Sequence, residues 1–360
     1  METLLIVGGG GFIGTHTCLH LLEANYNLIV VDNFSNSSPI GLKKVIEISN
    51  LKNDIETRLK IKVGDVRNLN FLDKIFSETA KSKMPIKGVI HFAGVKSISE
   101  SIYNPLLYWD INVAGSNNLL KVMHKYDCKT FVFSSSATIY GNPSKIPIKE
   151  TANINPLNPY GNTKAAVEKL LADIAGCQNS RLISQYSPNG WRIAILRYFN
   201  PVGAHLSGKI GESPSDNPSN LFPFISQVAV GKQSLLKIFG NDWGTKDGTG
   251  VRDYIHVMDL AEGHTSALKY LLKSKPQLIT LNLGTGKGTS VLEVVRAFEK
   301  ITKKVIPFTI VEKRQGDSAI AVADVQMAKK LINWESKFSL LDMCRSAWKW
   351  QKLNPEGYKS

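Results

Sequence analysis

Two residues able to do acid–base chemistry sit four apart in Tyr160-Gly161-Asn162-Thr163-Lys164, shortly after three serines, Ser134-Ser135-Ser136. On a helix, positions four apart share a face, so the phenol and the ammonium address the same space. A phenol titrates at about 10, and a nearby cation lowers that value by stabilising tyrosinate. Tyr160 is therefore expected to act as a base on a substrate hydroxyl, with Lys164 and a nearby oxidised nicotinamide together lowering its pKa toward neutrality, and with Ser136 hydrogen-bonding the same hydroxyl and able to relay its proton. The Pro156 to Pro159 segment favours a helix opening at this point, and apolar residues continue it through Ala165, Val167, Leu170 and Leu171. A Tyr/Lys pair of this spacing is common on surface helices; the serine-rich strand end before it singles this one out. Together the three residues suit oxidation of an alcohol, which requires a hydride acceptor.

The amino-terminal segment supplies a place for one. Leu4-Leu5-Ile6-Val7 reads as a strand and runs into Gly8-Gly9-Gly10-Gly11-Phe12-Ile13-Gly14, after which apolar spacing turns helical through Cys18, Leu21 and Leu22. In this strand–turn–helix pattern Gly8 makes the turn, Gly11 lets backbone approach a pyrophosphate, and Gly14 lets the helix pack closely on the sheet. The helix start faces the phosphates with unpaired N–H groups and a positive dipole end. A second strand, Leu28 to Val31, ends at Asp32, where a carboxylate can take ribose hydroxyls and repel a 2′-phosphate. Asn33 to Ser38 holds no Arg or Lys, so the expected cofactor is NAD and not NADP.

These pieces need a frame. Leu59 to Val63, Gly88 to Phe92, Lys129 to Phe133 and Trp191 to Leu196 read as buried strands alternating with helical patterns, which predicts an α/β, doubly wound parallel sheet. Ligands in such sheets bind beyond the carboxyl ends of the strands, where the glycine loop, Asp32, Gly64-Asp65-Val66, Ala93 to Lys96, the three serines and Tyr198-Phe199-Asn200 all fall. From about residue 200 the texture changes, with Gly-, Pro- and Ser-rich stretches at Gly203 to Pro223 and Gly240 to Gly250. The expected division is a nucleotide domain over 1–200 and, mainly, a smaller α+β substrate lobe over 201–360, with some segments returning to the first domain.

A chain of 360 residues with 43% hydrophobic content has an ordinary globular composition, and no apolar run approaches membrane-spanning length. Neither a membrane partner nor a signal peptide is expected, and the four spaced cysteines, Cys18, Cys128, Cys177 and Cys344, fit reduced thiols in the cytoplasm. His16 and His20 sit four apart without further ligands, so no metal is expected. The formal charge of +14 is spread over scattered lysines without a basic block, which argues against a nucleic-acid partner; it can help draw in a polyanionic substrate.

Over nearly its full length the chain resembles the extended short-chain dehydrogenase/reductases, and among them the UDP-glucose 4-epimerases. The resemblance is carried by Gly8 to Gly14, Asp32-Asn33-Phe34, Gly64-Asp65, His91 to Lys96, Ser134 to Gly141, Tyr160 to Lys164, Arg197 to His205, Asp247 to His256 and Arg314-Gln315-Gly316-Asp317. Relatives that dehydrate nucleotide sugars carry an Asp-Glu pair after the serines; Ala137-Thr138 stands here, which favours epimerisation. The resemblance implies reversible 4-epimerisation of UDP-glucose and UDP-galactose: Tyr160 removes the 4-OH proton as hydride passes to NAD in a Rossmann domain, the keto sugar turns over, and hydride returns to its other face.

For the cofactor the resemblance implies contacts from the glycine loop including Phe12 and Ile13, from Asp32 and Asn33, from Asp65 and Val66 on the adenine side, and from Phe92, Ala93, Gly94, Lys96, Asn112, Lys164 and Tyr198. For the UDP-sugar it implies Lys96, Ser136, Tyr160, Asn200, Asn220, Leu221, Phe239, Arg252, Arg314 and Asp317, with Lys237 departing from some relatives. Ala321 occupies a position where a bulky tyrosine excludes N-acetylated sugars, so UDP-GlcNAc and UDP-GalNAc are further candidates. The resemblance also implies a homodimer packed through helices that include Tyr108 to Val122. Two other readings stay open: a 4-epimerase of another nucleotide sugar such as UDP-glucuronate, and a non-catalytic NAD-binding redox sensor. Gly176 to Gly190, longer than the usual connection, has no assigned function.

Overall fold

A computed structural model of the chain describes residues 1–49, 55–214, 218, 220–314 and 317–358. Its centre is an eight-stranded sheet: β1 (Thr3–Val7), β2 (Asn27–Asp32), β3 (Leu59–Val63), β4 (Ile86–His91), β5 (Thr130–Ser136), β6 (Ser184–Tyr186), β7 (Arg192–Tyr198) and β8 (Gln277–Leu283). The spatial order is β3-β2-β1-β4-β5-β7-β8-β6, and every pairing is parallel except that of β8 with β6. Strand order reverses between β1 and β4, which opens a crevice beyond their carboxyl ends.

Continuous apolar runs form the inner strands because both faces are covered. Leu4, Ile6, Leu28, Val30 and Ile90 face the helices Phe12–Glu23 and Val257–Lys273, whereas Leu5, Val7, Ile29, Val31 and Val89 face Leu69–Lys81, Gly115–Lys125 and Pro159–Ala175. One expectation needs correction. The β3 strand is not buried: it forms the sheet edge, only Leu59 is covered, and Val63 is 68% exposed. Within the segment Tyr108 to Val122, a wide helical turn over Trp109–Ala114 joins Pro105–Tyr108 to Gly115–Lys125. The long connection after Gly176 supplies β6, the antiparallel strand that closes the opposite edge.

A smaller lobe packs helices Leu221–Val230, Val291–Thr302 and Leu340–Leu353 around their own apolar core. Short strands join it to the rest: Val251–Arg252 lies between Thr289–Ser290 and Ile320–Ala321, Tyr254–His256 pairs with Asn200–Val202, and Leu236–Phe239 pairs with Phe308–Val311. Buried Asp253 gathers this junction by accepting from Thr285 N–H at 2.7 Å, Gly286 N–H at 2.9 Å and Ala323 N–H at 3.1 Å.

Helix Pro159–Ala175 is capped by Asn158, whose side chain accepts from Gly161 N–H at 2.9 Å. One charged pair then docks it on the sheet. Arg197 of β7 donates Nε and Nη2 to Glu168 at 3.0 and 2.6 Å, with both side chains fully buried. Its remaining donors reach Tyr140 Oη, Glu150 O and Ser180 O, and Ser135 donates to Glu168 at 2.6 Å. Removing one partner strands a buried charge. Glu168→Ala is expected to lose about 3–5 kcal/mol in chemical denaturation, and Glu168→Leu combined with Arg197→Met is expected to recover much of that loss.

Candidate active site

The crevice between β1 and β4 is the mouth of a cleft of about 920 Å³. Gly8, at φ +80°, turns the chain from β1, and a β-carbon there would lie 2.4 Å from Ala93 N. One at Gly14 would lie 2.5 Å from Gly8 O, so that glycine lets helix and loop touch. At Gly11 a β-carbon meets nothing nearer than 3.5 Å: its free side is open to the cleft, as an approaching phosphate requires. Helix Phe12–Glu23 starts here without a side-chain cap and without an acidic residue in its first turn, so its N–H groups and dipole are available to an anion. Phe12 and Ile13 line the same wall.

At the end of β2, Asp32 accepts from Gly10 N–H and Phe34 N–H at 2.8 Å each and from Ser37 Oγ at 2.9 Å. The carboxylate therefore shapes its own loop and keeps about one lone-pair site for a ribose hydroxyl. Asp65 accepts from Nε and Nη2 of the Arg67 guanidinium at 2.9 and 2.8 Å and from Asn33 Nδ2 at 2.9 Å, which holds its carboxyl well below the ordinary range. Arg67, a cleft-lining cation the sequence reading overlooked, is also tied to Asp110 at 2.7 Å. Its charge is matched on both sides, which leaves the cleft without an obvious 2′-phosphate partner there. Val66, Phe92, Ala93 and Gly94 complete this wall.

Tyr160 and Lys164 lie deeper in the cleft, 6% and 5% exposed. Lys164 Nζ donates to Ser134 O at 2.9 Å and sits 4.9 Å above the Phe133 ring and 6.0 Å from the Tyr160 ring centre. Burial lowers its pKa to about 8. Burial also pushes the Tyr160 phenol well above its ordinary value; neighbouring Tyr198 adds to the rise and a hydrogen bond with Ser136 opposes it. With no cofactor charge beside it, burial is what dominates at this phenol. A phenolate in this dry site needs a positive charge, and the ammonium of Lys164 is directed at a carbonyl.

The serine run divides by function: Ser134 bonds His264 at 3.2 Å and Ser135 bonds Glu168, while Ser136, which accepts from Thr138 N–H and Oγ1, is the one that reaches Tyr160. Tyr198, at the end of β7, lines the cleft beside them. Asn112 does not line it. Its Oδ1 accepts from Val95 N–H at 2.9 Å and its Nδ2 donates to Val95 O and Thr163 Oγ1, so it braces the loop that carries Lys96 against the catalytic helix. Lys96 pairs with Glu212 at 3.2 Å across the cleft, and Asn220 Nδ2 donates to the same carboxylate at 3.3 Å.

The remaining candidates do not line that cleft and lie in the second lobe and at its junction. Leu221 opens a helix whose N-terminus also lacks a side-chain cap. The Arg314 guanidinium lies 3.7 Å over the Phe239 ring, Arg252 approaches Asp317 at 3.9 Å, and Ala321 pairs with Arg252 in the short parallel ladder. Lys237 is exposed on the same strand face as Phe239. Asn200 is held where its strand pairs with Tyr254. Gln315 and Gly316 lie outside the described residues.

Among the described residues no cluster of His, Cys, Asp and Glu could hold a metal ion, and His16 and His20 instead bond Phe12 O at 2.7 Å and Thr265 Oγ1 at 3.1 Å. Also unforeseen were Glu212 and Tyr358, which line the cleft from loop and terminal segments that carry no periodic signal.

A family model described as GDP-mannose 4,6 dehydratase matches residues 5–347. The chain is 47% identical over 359 residues to UDP-glucose 4-epimerase 2 of Arabidopsis thaliana, spanning 100% of this chain and 97% of that relative. It is 46% identical over 357 residues to UDP-glucose 4-epimerase of Bacillus subtilis, covering 99% of each. The fold is similar, at TM-score 0.90 and 42% identity, to the crystal structure of UDP-glucose 4-epimerase from Bifidobacterium longum in complex with NAD+ and UDP, covering 99% of this chain and 100% of that one. With the nucleotide cleft and the buried Tyr160–Lys164 centre already in place, these likenesses establish that the chain belongs to the UDP-glucose 4-epimerase family of extended short-chain dehydrogenase/reductases.

Proposed function

We propose that the protein interconverts UDP-glucose and UDP-galactose by transient oxidation at sugar C4 with bound NAD. The observation that carries this reading is the buried Tyr160–Lys164 pair, set in one cleft with an uncapped, glycine-lined helix start. When bound, NAD supplies a hydride acceptor and a positive charge beside Tyr160. That charge is what the raised phenol lacks. Tyr160 then takes the 4-OH proton and later returns it, Ser136 steadies the hydroxyl, and Lys164 orients the cofactor ribose. Gly8 to Gly14 hold the pyrophosphate. The helix start at Asn220–Leu221 and the guanidinium groups of Arg252 and Arg314 suit the UDP diphosphate, with Asp317 accepting ribose hydroxyls. Thr138, hydrogen-bonded to Ser136, leaves this position without the acid that loss of water would need.

The small side chain of Ala321 extends the reading to UDP-GlcNAc and UDP-GalNAc. Exposed Ile102, Tyr103, Leu106 and Trp109 form an apolar surface beside the cleft helices, with Tyr103 and Leu106 83% exposed, and we assign it to a second copy of the chain. Four free cysteines suit a reducing cytoplasm, and no helix among the described residues is long and apolar enough to cross a membrane.

Purified protein given UDP-galactose without added cofactor is expected to form UDP-glucose, read by chromatography, and Tyr160→Phe should slow this by about 10²–10⁴-fold. Absence of conversion even with NAD added would remove this sugar assignment and send the search to UDP-glucuronate and other nucleotide sugars. Ala321→Tyr is expected to suppress turnover of UDP-GlcNAc by at least about tenfold relative to UDP-glucose; equal losses on both sugars would refute its gating role. Leu106→Glu should shift the light-scattering mass from dimer to monomer, and an unchanged mass would reject this surface as the interface.

A further inference from the structure

The segment after helix Leu340–Leu353 returns to the cleft. Gly357, at φ +71°, turns the chain, and Tyr358 then lines the cleft that the glycine loop also lines. Its ring stands between the two parts of the molecule. On one side a β-carbon built at Gly41, on the nucleotide-domain helix Pro39–Ile48, would touch the ring at 3.4 Å. On the other the ring packs against Trp350, with centres 4.9 Å apart.

Tyr358 and Trp350 of the preceding helix together hold three consecutive residues of a second-lobe loop. Tyr358 Oη accepts from Gly211 N–H at 3.2 Å and donates to Gly211 O at 3.4 Å, Tyr358 N–H donates to Ser213 Oγ at 3.0 Å, and Trp350 Nε1 donates to Glu212 O at 3.0 Å. Fixing that backbone aims the Glu212 carboxylate across the cleft at Lys96, on the loop that follows β4. The bridge to Lys96 is partly solvated and weak alone, so its persistence depends on the backbone behind it.

We propose that Tyr358 is a positioning residue which, through Gly211–Ser213 and the Glu212–Lys96 bridge, clasps the dinucleotide in its cleft and sets how slowly it leaves. The inference rests on the NAD-binding reading above. An epimerase returns its hydride within each cycle, so the cofactor has no need to depart, and a clasp that slows release does not slow turnover.

The test measures release directly. Wild-type protein and the variants Tyr358→Ala, Ser213→Ala and Tyr358→Phe are loaded with NADH and chased with excess NAD, and the loss of bound-NADH fluorescence gives the dissociation rate. Both alanine variants are expected to release NADH about tenfold faster than wild type. Tyr358→Phe keeps the ring against Gly41 and Trp350 and should lie closer to wild type. In UDP-galactose turnover the alanine variants should show a raised KM for NAD, with activity lost on gel filtration and recovered by added NAD. Release at the wild-type rate in both alanine variants would overturn the clasp. Failure of the wild-type protein to bind NADH is a distinct result, and it would overturn the cofactor reading itself together with the clasp.

Discussion

The buried contact between Arg197 and Glu168 decides where the chemistry can sit. Glu168 lies four residues after Lys164 and eight after Tyr160 on helix Pro159–Ala175, so fixing its carboxylate against β7 fixes the rotation of that helix about its own axis. Two charges at zero exposure are costly to bury, and they are tolerated because both sides of the carboxylate and every arm of the guanidinium have partners. Hydrophobic packing alone would hold the helix to the sheet without choosing the rotation that turns the phenol into the cleft. The same guanidinium reaches Ser180 in the connection that leads to β6, which ties the far edge of the sheet into the same network.

That docking has an electrostatic consequence. Tyr160 and Lys164 are carried into a dry region, where burial raises the phenol and lowers the ammonium, so the protein alone favours the uncharged form of the tyrosine. Base strength at Tyr160 then depends on what fills the cleft. An anion-facing element lines the cleft beside this centre, the open start of helix Phe12–Glu23. Arg67 is shared between two carboxylates, Asp65 and Asp110, so this cluster carries net negative charge and offers a phosphate no free cation.

Much of this was readable in the residue order. The alternation of apolar strands with helical patterns identified the doubly wound sheet, because parallel strands covered on both faces must be apolar throughout, as β1 and β2 are. The glycine loop was legible because its spacing follows from local backbone sterics, and the Tyr160–Lys164 pair because helical period alone puts both on one face. Edge position was legible in part: β3 alternates Leu59, Ile61 and Val63 with Lys60 and Lys62, unlike the continuous apolar runs of β1 and β2, and pairing order then shows that one side has no neighbour. The role of Asn112 was hidden, since an amide that braces Val95 and one that faces a ligand look alike along the chain.

The sequence by itself determined the local geometry: the turn at Gly8, the open helix start at Gly11, the cap at Asn158 and the shared face of Tyr160 and Lys164, all set within a few residues by sterics and helical period. Only the tertiary structure decided which distant groups meet. It brought Arg197 to Glu168, set Glu212 opposite Lys96, and returned Tyr358 to the cleft it lines. It also set the protonation balance at the centre, because desolvation depends on how many layers of protein cover a group, and no spacing along the chain records that number.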